Sequence, residues 1–241
     1  MTIGKIIEAV RFCIDEEAQN GSNLGSNLAY ANDKTRMDGI IKDKIGDALR
    51  WVCLNAPVEL LSGTDTVSGT TPVDTGIIVD KSGTFTASGT EFIYNSMSGR
   101  TTGYGRIVTG EDFIKLARVR VDGWHRAIIN PFAEDSEEYL QLFDEYGAMG
   151  TPDRPQGALI NKKVKEIEVW PVSEDDDVEY SYVATIPDSD IDTSLDTNNV
   201  ALPPNARTSF IYYLAFLLLS AYGDGRSTRM LEIAKMSLLR Q

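Results

Sequence analysis

The segment at residues 202–225, LPPNARTSFIYYLAFLLLSAYGDG, constrains the fold of this chain more than any other stretch. Pro203 and Pro204 suit a helix start, because the first helical turn does not use the N–H groups that proline lacks. Between residues 210 and 222, apolar side chains cover nearly the whole circumference, interrupted only by Ser220. A helix that is apolar all round has to be buried, and this one is shorter than the ~20 residues that cross a bilayer. We therefore predict a core helix and no membrane span.

Two amphipathic helices are predicted before residue 57. The apolar residues of the first recur at helical spacing on one face, at Ile3, Ile6, Ile7, Val10 and Ile14. After a Gly-, Ser- and Asn-rich loop, the second has a stripe that ends before Pro57 and consists of Ile41, Ile45, Ala48, Leu49 and Val52. Neither helix is apolar enough to be stable alone in water, so we expect both to pack on another element.

A last helix is predicted over residues 227–239, after the turn Gly223-Asp224-Gly225. A tight turn of this kind joins two neighbouring helices. The apolar helix is then the third of four in one core, and we expect the other three to surround it. The predicted core residues are Ile45, Leu49, Val52, Phe210, Leu214, Leu217 and Leu218.

Between residues 58 and 186 the sequence is rich in Gly, Thr, Ser and Val, in short runs separated by turn signals. Strands are predicted at residues 58–61, 76–80, 84–86, 91–94, 105–108, 113–121, 124–129, 164–170 and 178–186. Asp122-Gly123 is a hairpin-turn signal, Lys81-Ser82-Gly83 is a weaker one, and a helix is predicted over residues 136–146. Strands at this spacing are typical of a small sandwich or open barrel.

The predicted fold class is α+β, with a helical bundle formed by both chain ends and an inserted β-sandwich or barrel-like lobe. Residues 1–57 and 200–241 are the two parts of the predicted bundle, and residues 58–199 are the predicted β-rich insertion. Residues 187–200 are polar and rich in turn formers, as expected of a connector. Residues 21–32 and 188–199 are candidate loops that become ordered only on assembly.

Charge and cysteine content exclude several classes of protein. The chain carries 36 acidic and 23 basic residues, a formal charge of −13, which repels nucleic acid phosphates and makes a dedicated DNA or RNA reader implausible. Cys13 and Cys53 are the only cysteines and lie in predicted helices, so we interpret them as small buried apolar residues. The first 17 residues carry acids and lack the apolar core of a secretory leader, so we expect none.

The sequence contains no complete catalytic or metal-binding motif. His125 is the only histidine, and no pattern places a nucleophile or an orienting acid beside it. The Gly-rich residues 99–105 lack the Gly-Lys-Ser/Thr ending of a phosphate-binding loop. Asp188, Asp190 and Asp192 imitate a calcium loop that lacks its glycine and its last glutamate. We therefore predict no catalytic, cofactor-binding or metal-binding residues, and a protein that is not an enzyme.

Two blocks of sequence resemble one family of viral proteins. The first is Leu202-Pro203-Pro204 followed by IYYLA at residues 211–215 and by Gly223-Asp224. The second is DFIKLARV at residues 112–119, running into GWHR at residues 123–126. In these blocks and in the order of its elements, the chain resembles the head-to-tail adaptor, or tail-tubular ring, proteins of short-tailed bacteriophages, including the ring proteins of crAss-like phages.

The resemblance implies a structural role in the neck or tail of a virion assembled in the host cytoplasm. Such proteins form a homo-oligomeric ring, commonly of twelve copies, beneath the portal protein. The ring extends the channel through which DNA passes without specific binding, and neighbouring tail or ring proteins dock on it. We expect no membrane partner.

Two other classes of function stay open from the sequence. One is a binding module for glycans or cell surfaces, in which Trp124 and Trp170 of the β-rich lobe form an aromatic platform. The other is a cell-wall hydrolase that uses a pair of carboxylates. The second class has little support, because a chain with 36 acidic residues offers carboxylate pairs in any case.

Overall fold

The computed structural model describes residues 1–20, 34–61, 77–98, 102–141, 150–161, 165–187 and 191–239. The chain forms two compact units. The first, called the helical unit below, comprises Met1–Ile77 and Thr185–Gln241, and the second, called the β unit, is Ile78–Ala184. The predicted α+β class is confirmed, because the chain combines helices with two separate β-sheets.

Most of the described helices precede the first strand or follow the last one, and one short helix lies among the strands of the β unit. The helices are α1 (Ile3–Asn20), α2 (Lys34–Asn55), α3 (Val58–Leu61), α4 (Glu137–Gln141), α5 (Arg207–Ala221) and α6 (Ser227–Leu239). The strands are β1 (Ile78–Thr84), β2 (Phe92–Asn95), β3 (Gly103–Val108), β4 (Phe113–Val121), β5 (Phe132–Ala133), β6 (Gln156–Asn161), β7 (Lys165–Val172) and β8 (Asp177–Ala184). Among the described residues, no helix has both the length and the apolar character to cross a bilayer.

The apolar helix α5 organises the helical unit. A short 3-10 turn, Pro204–Ala206, leads into it, and α1, α2 and α6 pack against it. Six of the predicted core residues are buried here, namely Ile45, Leu49, Val52, Phe210, Leu214 and Leu218. Leu217 is half-buried. Cys13 and Cys53 are buried free thiols, as the sequence indicates.

The three other long helices all pack on α5, as expected, but they leave one flank of it only half-buried. Tyr213, Phe216 and Leu217 follow one flank of the helix and are half-buried, as are Ile211 and Tyr212 near its start. Three packed neighbours cover only part of the circumference of a helix, and the uncovered part of α5 is as apolar as the rest. The helical unit therefore exposes apolar surface that its own described helices do not bury.

The start of the chain is bonded to the segment that follows the β unit. The amide groups of Ile3 and Gly4 donate to the carbonyl groups of Asn198 and Asp196, at 2.9 and 2.8 Å, and the amide of Val200 donates to the carbonyl of Met1 at 2.8 Å. These bonds hold residues 191–199, the described part of one predicted assembly-ordered loop, within the helical unit. Residues 21–32, the other predicted loop, lie outside the described residues.

The β unit contains two sheets that contribute to one core. One sheet is antiparallel with strand order β1-β8-β4; the other has the order β2-β3-β7-β6-β5, in which only β5 runs parallel to its neighbour. Alternate residues of β8 face the shared core, as do residues of β4, where two register shifts interrupt the alternation, and both strands meet residues of β3 and β7 there. The largest fully buried side chains of this core are those of Phe85, Ile107 and Tyr180.

Several predicted elements of the β-rich region differ from the structure. Residues 58–61 form helix α3 instead of a strand, and Lys81-Ser82-Gly83 lies inside β1 instead of turning. Residues 124–129 form turns with a single antiparallel bridge between Val119 and Ile128, and strand β6 was not predicted. Runs of four to six residues carry too little periodicity to fix their type, so tertiary packing decides it. The end of the predicted helix at residues 136–146 lies outside the described residues.

Candidate functional site

The residues that could have carried chemistry do not form an enclosed site. Nδ1 of His125 lies 2.5 Å from Oδ1 of Asp153, but both side chains are more than 70% exposed, at 71% and 77%. Asp192 accepts a hydrogen bond from the amide of Ser194, while Asp188 lies outside the described residues. The part of the chain that the structure describes contains no group of three or more metal-ligating side chains. The prediction that the protein is not an enzyme stays a prediction.

The two tryptophans suggested as an exposed glycan platform are both buried. Trp124 is 3% exposed and its indole N–H donates to the carbonyl of Pro171 at 2.8 Å. Trp170 is fully buried, with the rings of Tyr104 and Tyr139 at 5.9 and 6.3 Å. A platform for sugars needs an open ring face, so the interpretation of this pair as a binding surface is wrong. Both side chains are core residues of the β unit.

A buried carboxylate lies beside Trp170 in the β unit. The side chain of Glu168 on β7 accepts a hydrogen bond from the hydroxyl of Tyr139 on α4, with 2.9 Å between the oxygens. Glu168 is 7% exposed, so its charge depends on hydrogen bonds within the protein for stabilisation. Burial and this carboxylate raise the pKa of Tyr139 well above its usual value.

Replacing Tyr139 by phenylalanine is expected to lower the free energy of unfolding by about 1–3 kcal/mol, because it removes a donor to a buried charge. Urea unfolding followed by tryptophan fluorescence measures this loss. Tyr94→Phe in β2 is the matched control, since the hydroxyl of Tyr94 makes no hydrogen bond to the described residues. Equal losses of unfolding free energy in the two variants would show that the hydrogen bond from Tyr139 to Glu168 does not stabilise the fold.

Tyrosines of β8 have raised pKa values. Burial raises the pKa of Tyr182 to about 12, and its hydrogen bond to Asp112, at 3.0 Å, acts in the same direction. Burial is also the main cause of the raised pKa of Tyr180, whose ring stacks on that of Tyr182. The folded β unit therefore holds these protons more tightly than the unfolded chain does.

The β unit is expected to lose stability at alkaline pH. Tyrosine in the unfolded chain titrates near pH 10, so between about pH 10 and about pH 12 the unfolded state ionises first and is favoured. The free energy of unfolding should be level below this range and fall within it. Fluorescence of Trp124 and Trp170 in a Trp51→Phe variant follows the β unit alone. The decrease in unfolding free energy over this pH range should be smaller in Tyr182→Phe. An unchanged decrease would show that Tyr182 is not its cause.

A groove between α1 and α5 is one of three apolar surfaces on the described part of the helical unit. Its volume is about 520 Å³. The apolar lining comes from both helices, with Lys5 and Glu8 beside it, and consists of Ala9, Phe12, Cys13, Ile211 and Tyr212. Phe12 is the most unusual of these, because 67% of its side chain is exposed. We call this surface the α1 groove.

A second apolar surface lies where α2 meets α5. The ring of Trp51 stacks on that of Tyr213, with 4.1 Å between centroids and an interplanar angle of 7°. Phe216 extends the cluster, with its ring 5.3 Å from that of Tyr213. All three residues are half-buried, and Leu54 on α2 is 58% exposed. We call this cluster of rings the aromatic face.

A third apolar surface lies on α6. Met236 is 43% exposed and Leu239 is 81% exposed, although both belong to an ordered helix. Glu232 and Lys235, one turn earlier, are exposed as well. We call these four residues the α6 ridge.

Sequence reasoning missed these three surfaces for a physical reason. Periodicity identifies the stripe of a helix that is buried in its own chain, and Phe12, Trp51 and Leu239 lie outside the predicted stripes. One available signal was a large apolar residue on the polar side of an amphipathic helix, as at Phe12. The other was the all-round apolar surface of α5, which three neighbours cannot cover.

Comparison of the chain with models of protein families finds no match, and comparison with curated proteins finds no significant similarity. The described surfaces are therefore the basis on which a partner can be inferred. All three lie on the helical unit, and they differ from one another in shape and charge. Exposed apolar surface of this kind marks sites where proteins associate.

Proposed function

We propose that the protein is a structural component of a virion that assembles as a ring at the head-to-tail junction of a short-tailed bacteriophage. The ring lies beneath the portal protein and extends the DNA channel. In this proposal both chain ends form one helical bundle, and the β unit, Ile78–Ala184, is the lobe inserted between them in the sequence. The resemblance of residues 112–126 and 202–224 to tail-tubular ring proteins supports it.

One observation carries the proposal: the helical unit has several apolar surfaces that differ from one another. The α1 groove is concave and lined by two helices, whereas the α6 ridge is convex and belongs to one. In a head-to-tail ring, each subunit meets its two neighbours through different patches, so a single chain has to present two unlike surfaces. Exposed apolar residues grouped on the surface of a protein are typical of sites where proteins associate.

The charge of the chain also fits a channel protein. With a formal charge of −13, copies that line a channel repel the phosphates of the passing genome and do not retain it. The proposed partners are the portal protein, further tail or ring proteins and, without specific contacts, DNA. The helical unit is proposed to form the ring and to dock on the portal. No enzymatic step is part of this function.

Electron microscopy of the purified chain with the portal protein of its phage tests the proposal. The expected result is a closed ring with a central channel, bound at one end of the portal, in which the helical units contact each other. Mass photometry of the chain alone gives the number of copies. A chain that stays monomeric, both alone and with the portal, would refute the proposed function.

A further inference from the structure

Two helices of the helical unit carry exposed residues at the same spacing. On α1 the positions i, i+3, i+4 and i+7 are held by the exposed Lys5, Glu8 and Phe12, with the half-buried Ala9 between them. On α6 the same positions are occupied by Glu232, Lys235, Met236 and Leu239. Positions with this spacing lie along one face of a helix and span about 10 Å. Each helix thus presents a face of equal length.

The charges of the two faces are opposite at each matched position. Lys5 corresponds to Glu232, and Glu8 corresponds to Lys235. Within the described part of the chain, none of these four residues has an ion-pair partner of its own. When the two helices lie side by side and point the same way, both pairs combine a cation with an anion. In the antiparallel arrangement of the same two faces, Lys5 lies opposite Leu239 and Glu232 lies opposite Phe12, so neither ion pair forms.

The apolar halves of the two faces are complementary in size. In the parallel arrangement the small Ala9 lies opposite the long Met236, and Phe12 lies opposite Leu239. Behind Ala9, the groove continues to Ile211 and Tyr212 of α5, which leaves room for a methionine side chain. A small residue facing a large one is how helix surfaces interdigitate.

We propose that the α6 ridge of one copy docks in parallel against the α1 groove of the next copy. The inference deepens the proposed function, since it assigns the two unlike patches of the ring contact. Phe12 and Leu239 form the apolar end of the contact, and the two ion pairs lie toward its other end, where they set the orientation more than the affinity. A second copy is the occupant because this chain itself carries the ridge that matches the groove in spacing, charge and size.

Charge reversal followed by charge exchange tests the orientation. Lys5→Glu and Glu232→Lys, each alone, place like charges opposite one another and should weaken the contact between copies by about five- to tenfold. The double variant Lys5→Glu/Glu232→Lys should restore assembly to near the wild-type level. Mass photometry over a concentration series measures it. Both substituted side chains, Lys5 and Glu232, are exposed, so we expect the fold to be unaffected. Single reversals without effect, or a double variant that is not restored, would overturn the parallel contact.

Cross-linking between two differently tagged variants tests the position. One chain carries Ala9→Cys and the other Met236→Cys, and mild oxidation of a mixture should give a covalent pair that contains both tags. Such a pair cannot form within one chain. The wild-type chain mixed with the Met236→Cys chain is the control for the native Cys13, which also lines the groove.

The results of these experiments distinguish a failure of the proposed contact between α6 and the α1 groove from a failure of the proposed ring function. Rings without the mixed covalent pair would overturn the contact and leave the proposed function intact. A mixed pair found only in closed dimers would support the contact and refute the ring. A chain that never assembles, alone or with its portal protein, would overturn both.

Discussion

Replacing Phe12 by glutamate is expected to stop assembly while leaving the fold intact. The side chain is 67% exposed in the single chain, so it contributes little to folding, but it is the aromatic residue of the proposed contact. Removing an aromatic anchor costs a contact about 2 kcal/mol or more, a factor of about 30 in affinity. The added charge also lies four residues from Glu8, in a chain that is already strongly acidic. Mass photometry at increasing concentration should show monomers where the wild-type chain forms rings.

Leu54→Glu is the matched control for this substitution. Leu54 is 58% exposed on α2 of the same helical unit, beside the aromatic face and outside the proposed contact. The two variants add the same charge to a similarly exposed apolar position. Assembly should be lost in the first and kept in the second. Equal loss in both variants would mean that net charge, and not the α1 groove, controls assembly.

Phe210→Ala is expected to cost the helical unit about 3–5 kcal/mol of unfolding free energy. Phe210 is fully buried in α5, whose apolar face is covered by α1, α2 and α6, so its truncation leaves a cavity in the middle of the unit. Urea unfolding followed by far-ultraviolet circular dichroism reports mainly on this unit, since it contains the long helices.

Phe12→Ala removes the same atoms from an exposed site and should change stability by no more than about 0.5 kcal/mol. The pair of variants therefore isolates the effect of burial from that of the chemical change. A loss of less than about 1 kcal/mol in Phe210→Ala would show that α5 is not the core of the unit.

The long, strongly patterned elements could be predicted from the sequence. β4 covers residues 113–121 as predicted, because this is a long run with several β-branched and aromatic residues that ends at the Asp122-Gly123 turn signal. Helices α1 and α2 were expected from their apolar stripes. Helices α5 and α6 were expected from the Pro203-Pro204 start and from the turn at Gly223, whose φ of 68° suits glycine. These elements fix which side chains the protein can bury.

The short elements and the surfaces could not be predicted in the same way. The apolar pattern of Val58–Leu61 is compatible with a strand and with a helix. In the structure the amide of Leu60 donates a hydrogen bond to the carbonyl of Pro57, which stabilises the helical turn. Trp124 was placed on a strand, but its position is fixed by the bond of its indole to Pro171, which is distant in sequence. Exposure of Phe12 depends on how far neighbouring helices extend, which no local pattern contains.

The bonds between Met1–Gly4 and residues 196–200 have a consequence for synthesis on the ribosome. The helical unit is completed only when α5 emerges, about 150 residues after the end of α2. Translation proceeds at roughly 5–20 residues per second, so the apolar stripes of α1 and α2 stay uncovered for about 10–30 s before α5 is made. The β unit, which is continuous in sequence, is made in full during that time. Nascent chains should therefore engage chaperones through α1 and α2 until α5 has emerged from the ribosome.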